Sequence, residues 1–322
     1  MSEIPAFIAK RLLSIFVTVS VILTVGYVLM YYSPGSFFNS SNISQAIAGL
    51  AAENPRLYQQ VMAEFDARYG LNQPLYEQVW KYVTHSLTFN FGTSFENPTT
   101  QIMTQLKTAF PISAELAFGA IFLGLIVGLP LGVAAGIKRN TLIDRIAVGI
   151  SMVGQAIPAF VLAVFLVLIF GTVIPNVLPV NGWGAPADYV LPIVCLGAAN
   201  IGVVTRYMRN GLIEVMRQDY MRTAEAKGVK YWHRVLKHGV RNSVVALITI
   251  IGPAFAFTVV STVWVENVFS IPGMGTLMAN AFVFKDVPLS VVSIYILAMM
   301  VLVVNMLVDI AYKLIDPRVH LS

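Results

Sequence analysis

From Leu12 to beyond residue 30 no charged side chain interrupts an apolar run, and five more such runs follow. They are Leu116–Ile137, Ile146–Gly171, Tyr189–Thr205, Val244–Val265 and Val287–Val308. A helix crossing a hydrocarbon core of about 30 Å needs roughly 20 apolar residues, and inside lipid it must satisfy its own backbone polar groups. Buried helices of soluble proteins rarely hold apolar runs longer than about 14 residues. The pattern predicts an all-α integral membrane protein with six transmembrane helices. The fourth run is the shortest, and it carries Pro192, Gly197, Asn200 and Gly202.

Basic residues set the orientation. With the N-terminus inside, the segments 1–11, 138–145, 206–243 and 313–322 hold 16 Lys and Arg, against 5 on the other side. Both termini are expected in the cytoplasm of a bacterial cell. The net charge of +5 follows from this bias and gives no support to nucleic-acid binding. The first run is too long for a signal-peptide core, and "MYYSPGSFF" has no small-x-small cleavage pattern, so it reads as an uncleaved anchor over 1–31. The lone Cys195 excludes a disulfide framework.

Residues 32–111 form one extracytoplasmic insertion. After a loose "SPGSFFNSSNISQ", Leu57, Val61, Phe65 and Tyr69 recur every four residues, and Gly70 stands where a helix would end. "LNQPLYEQVWKYVTHSL" predicts a second amphipathic helix. The insertion either packs on the spans or docks an external partner.

Catalytic chemistry is missing from the pattern. No phosphate-cradling Gly-x-x-x-x-Gly-Lys-Ser/Thr loop occurs, no Gly-x-Ser-x-Gly turn, and no His-Glu-x-x-His helix. The four histidines lie outside the spans, which leaves no imidazole set for an intramembrane metal. Glu115, Glu266 and Asp309 sit near span ends, where snorkelling or capping would satisfy them. Gln155, Asn200 and Asn305 suit helix–helix hydrogen bonds or a wet, nonselective path. A pore-forming channel would show a ring of like pore residues, and a membrane enzyme would show convergent acid, base or metal groups. The sequence displays neither.

The 206–243 segment is basic out of proportion to the rest. Ile213, Met216, Tyr220 and Ala224 predict one apolar helical stripe, and Gly228 interrupts it as a left-handed helix end would. Trp232, Leu236 and Val240 predict a second short amphipathic helix. Two such helices hinged at a glycine fit anionic lipid headgroups or the groove of a cytosolic partner.

"TAEAKG" followed by "HGVRNS" resembles the cytoplasmic loop of binding-protein-dependent ABC importer permeases. In that family the loop often reads Glu-Ala-Ala, three residues, then Gly. Aligned on Gly228, these positions hold Arg222, Thr223 and Ala224, the variant of the oligopeptide/dipeptide branch, and Glu225 is not the motif glutamate. "RNSVVAL" lacks the proline common after this motif, so the fifth span is expected to start straighter. "YGLNQPLYEQ", "FGTSF", "FSIPGMGTL" and "DPRV" resemble further landmarks of the branch in the same order, and the long insertion resembles its B-type subunit.

The resemblance implies a permease core over 112–322 that imports peptides, oligopeptides first, with dipeptides, nickel chelates and glutathione as alternatives. It implies a second homologous permease, two ATP-binding subunits that carry ATP and magnesium, and an extracytoplasmic peptide-binding protein. This chain itself would be no enzyme and would hold no cofactor, and membrane lipids would surround it. The ATPase-coupling contact would fall on Tyr220, Arg222, Ala224, Lys227 and Gly228. Orientation has a direct check. A cysteine placed within 45–90 should react with an impermeant thiol reagent only from outside, and one within 212–235 only from inside; labelling of the first set from the cytoplasm overturns the topology.

Overall fold

The computed structural model describes residues 3–33, 53–96 and 99–315, so the "DPRV" tail and nearly all of the Ser/Asn-rich opening of the insertion lie outside the described residues. Among the described residues the chain is helical, with one isolated antiparallel bridge, Thr93 to Gln101. Two compact units are formed, one from Met1–Phe110 with Thr276–Met299 and the other from Pro111–Gly275 with Met300–Ser322.

In the first unit, α1 (Glu3–Tyr32) holds the first apolar run, and α2 (Pro55–Tyr69) and α3 (Leu75–Leu87) are the two helices predicted for the insertion. The α2 ends show why that segment is helical. The Asn54 side chain accepts the Leu57 N–H at 3.2 Å, Pro55 opens the first turn, and Gly70 takes φ +70° as the C-cap. The Tyr27 hydroxyl of α1 donates to the Gln78 side chain of α3 at 2.9 Å, and Tyr82 donates to the Pro288 carbonyl at 2.8 Å. Asp286 caps the helix that follows it by accepting from Leu289 N–H at 3.1 Å, and its other oxygen takes the Ser94 hydroxyl and the Glu96 N–H.

The second unit rests on close helix approach. Along α4 (Ile102–Ile137), Gly124, Gly128, Gly132 and Gly136 recur every four residues. They face Asn200, Val204, Met208 and Leu212 of α7 (Val190–Val215), also four apart. A methyl group built on Gly124 would lie 2.5 Å from the Asn200 Cβ, and one on Gly132 2.7 Å from the Thr205 carbonyl oxygen. Only hydrogen fits on this ridge, so the two backbones can approach closely, as small residues allow in membrane helix pairs. From α9 (Arg241–Val268), Thr258 donates to Asn200 Oδ1 at 3.1 Å. Asn200 therefore works as helix–helix glue.

Two expected spans come out differently. The Ile146–Gly171 run is not one helix. It breaks into α5 (Leu142–Ala156) and α6 (Ala159–Leu168, continued by a π turn over Ile169–Val173), bent by 98°. Pro158 is the cause, because its ring drives the preceding residue out of helical conformation, and Ile157 is extended at φ −89°, ψ 117°. The fourth run belongs to a longer helix than expected, since α7 continues to Val215 and carries Arg206 and Arg209. Among the described residues, four helices can cross a membrane by length and apolarity, within α1, α4, α7 and α11 (Val287–Ile315), and five if the bent pair is one span. The Val244–Val265 run lies in the 28-residue α9 (Arg241–Val268).

Glu266 follows the capping alternative and not the snorkelling one, and it is fully buried. Its carboxylate accepts the Ser113 hydroxyl and the Gly275 N–H, each at 2.6 Å, and Ser113 in turn accepts the Met274 N–H at 2.8 Å. These N–H groups open α10 (Met274–Val283), so a side chain from α9 caps the short helix after "SIPG".

The ridge gives a paired test. Gly132→Ala places a methyl against backbone and should destabilise the purified protein by about 1–3 kcal/mol. Gly149→Ala meets open space and should leave thermal unfolding in detergent unchanged or slightly raised. Equal behaviour of the two variants would refute the ridge.

Candidate functional site

At the end of α7 the chain turns through Met216–Gln218 and enters α8, Asp219–Ala226. Asp219 places a carboxylate in the first turn, where the N-terminal dipole favours it. At the other end, Gly228 N–H donates to the Glu225 carbonyl at 2.9 Å and Val229 N–H to the Ala224 carbonyl at 3.1 Å. This double bond closure needs a left-handed residue, and Gly228 has φ +74°. A methyl on Gly228 would touch nothing within 4 Å, so the requirement there is conformation and not space.

The predicted two-helix picture changes on each side of this hinge. Ile213 belongs to α7 and not to the helix of Tyr220 and Ala224, so the expected stripe is split by a turn. Nor does a separate second helix exist. Tyr231–His233 passes through a π-helical stretch, Arg234–Val240, directly into α9 without a break. Along the lead-in, Val235 and Gly239 are the buried residues, and the expected stripe residues Trp232 and Leu236 point outward, 61% and 59% exposed.

Met221 of α8 is buried, and two contacts hold α8 to the lead-in and the start of α9. Asn242 Nδ2 of α9 donates to the Tyr220 hydroxyl at 3.1 Å, and Arg234 forms an ion pair with Glu225 at 2.9 Å. That hydrogen bond and charge from Arg234 hold the Glu225 carboxyl below the usual glutamate range. A depressed carboxylate pKa means the clamp is complete at neutral pH and is lost only as acid protonates Glu225. The base of the loop is also fixed. Gly239 lies so close to α7 that a methyl there would sit 2.9 Å from Leu212. Arg209 grips Asp144 of α5 through both nitrogens, at 2.5 and 2.8 Å, and Asp144 accepts the Asn140 N–H at 2.8 Å.

Tyr220, Arg222, Ala224, Lys227 and Gly228 thus all fall on α8 and its C-terminal turn. Arg222, Lys227 and Gly228 are exposed, Tyr220 is 45% exposed, and Ala224 is half-buried on the side of Met221. Arg222 makes only a long, exposed 3.6 Å pair with Asp219. Of the residues that fasten this surface, Glu225 was noted only as lying outside the motif, and Met221 and the Asp144–Arg209 pair were not singled out from sequence. Met221 lies three residues before Ala224 and was open to a periodicity argument. The ion pairs join residues across turns, where helical spacing carries no signal.

Residues 128–321 match the family described as the binding-protein-dependent transport system inner membrane component. The dipeptide transport system permease of Lactococcus lactis is 33% identical over 98% of this chain and 99% of its own length. The oligopeptide permease of Haemophilus influenzae is 34% identical over the same shares. The glutathione permease of Salmonella paratyphi A is 31% identical over 98% of both chains. Among solved structures, the methionine ABC transporter MetNI in an inward-facing conformation shares the fold, with a TM-score of 0.55 at 17% identity over 66% of this chain and 97% of that one. With apolar helices of spanning length and a family match over more than half its residues, the chain belongs to the inner membrane components of binding-protein-dependent transport systems.

Proposed function

We propose that the chain is the peptide-conducting permease subunit of an ATP-driven importer, with oligopeptides the first substrate and dipeptides or glutathione the nearest alternatives. The observation that carries the reading is the match along almost the whole of both chains to permeases named for dipeptide and oligopeptide transport. In this reading a homologous permease completes the path and a binding protein delivers the peptide outside. Two ATPase subunits bind ATP and magnesium at the cytoplasmic face.

The α8 surface is where ATPase movement would enter. The turn at Gly228 and the Glu225–Arg234 clamp make α8 one body with the lead-in to α9, so a push on its exposed side is carried into α7 and α9 as rigid motion. Arg222 and Lys227 present charge to the partner, Ala224 allows close packing, and Tyr220 couples to Asn242. Selectivity between peptides would rest largely on the binding protein.

Reconstitution tests this. The chain alone in proteoliposomes should neither hydrolyse ATP nor take up peptide, and both activities should appear only with the ATPase subunits, the sister permease and the binding protein. In that complex Gly228→Val, which forces a β-branched residue to positive φ, should abolish uptake with membrane insertion intact. Lys237→Gln should be mild. Full transport by Gly228→Val beside a severe defect in Lys237→Gln would overturn the coupling role.

A further inference from the structure

Within the first unit, a cavity of about 480 Å³ opens between α2, α3 and the 90–95 segment. That volume falls in the range of about 300–1,000 Å³ typical of small-molecule sites. Its walls are aromatic and prearranged. Tyr69 and Phe95 stack edge to face at 4.6 Å, Tyr27 and Tyr82 lie 5.0 Å apart, and Phe91 is buried beside them. The wall's own polar groups are already satisfied. Tyr69 donates to the Ser94 carbonyl at 2.9 Å, Tyr82 is bound to Pro288, and the buried Gln78 amide takes the Leu71 and Gln73 carbonyls at 3.1 and 2.7 Å while accepting from Tyr27.

Exposed donors also line the cavity. Lys81 spends one ammonium proton on Gln73 Oε1 at 2.8 Å and keeps two. His85, one helical turn further along α3, has no side-chain partner among the described residues, and neither does the Asn90 amide. Arg68, whose guanidinium lies over the Tyr69 ring, adds a second positive charge to the lining, and among the described residues no carboxylate lines the cavity. A preformed aromatic cleft lined by the Lys81 ammonium, which keeps two protons, suits an anionic ligand that also has apolar side chains.

We propose that this cavity holds a short peptide by its C-terminal carboxylate. Lys81 and His85 bind the carboxylate, Asn90 pairs with the adjacent peptide unit, and the aromatic rings contact side chains without selecting one. The assignment rests on the peptide-import reading, in which this cavity would be an entry station outside the span.

The test uses the full chain in lipid nanodiscs and equilibrium dialysis of labelled trialanine and its C-terminal amide. Trialanine should bind, the amide about tenfold more weakly, and Lys81→Gln with His85→Gln should lower trialanine affinity by about tenfold. Lys107→Gln, exposed on another helix, should change nothing. Equal binding of acid and amide, wild-type affinity in the double variant, or no binding of trialanine would each refute the site. Uptake by the assembled importer separates the two claims. Peptide uptake without binding here refutes the cavity alone, and absence of peptide uptake by the wild-type complex refutes the import reading.

Discussion

Between two apolar helices in lipid there is no hydrophobic force to draw them together, so the contact of α4 with α7 depends on how closely their backbones approach. Four glycines at four-residue spacing make that approach, and everything attached to α7 inherits its position. Asn200 reaches Thr258 of α9 only because α7 is seated there. Further along the same helix, Leu212 receives Gly239 and Arg209 receives Asp144. The exposed surface of α8 is therefore set by a packing contact that starts on the other side of α7. A bulky residue on the ridge would displace that surface without touching it.

Charge is used sparingly in this framework, and among the described residues each buried carboxylate has defined donors. Glu266 caps α10, Asp286 caps α11, and Asp144 takes Arg209 and a turn N–H. Each carboxylate joins elements far apart in sequence. Such bonds are costly to leave unmade in a low-dielectric setting, so they fix register more than they add net stability.

Much of this was legible beforehand. The apolar runs foretold the helices, the four-residue rhythm of Leu57 to Tyr69 with Gly70 foretold α2 and its end, and Gly228 was read correctly as a left-handed stop. What failed did so for local reasons. Pro158 sat unused inside an apolar run, although its effect on Ile157 is a backbone rule that composition hides. Trp232 and Leu236 formed a convincing stripe, but the buried side of the lead-in is Val235 and Gly239, small enough to lie against α7. The glycine ridge was written openly in "GLIVGLPLGVAAG", yet its meaning depends on which helix lies opposite. The Glu225–Arg234 clamp spans a turn and has no periodic signature.

The central claim is that α8 is the contact through which ATPase movement reaches the spans. The most direct measurement is site-specific photo-crosslinking from Arg222, on the exposed side of α8, in the assembled complex. The account predicts capture of an ATPase subunit, with a yield that changes between nucleotide-free and ATP-bound states. Capture of lipid alone in both states would contradict it.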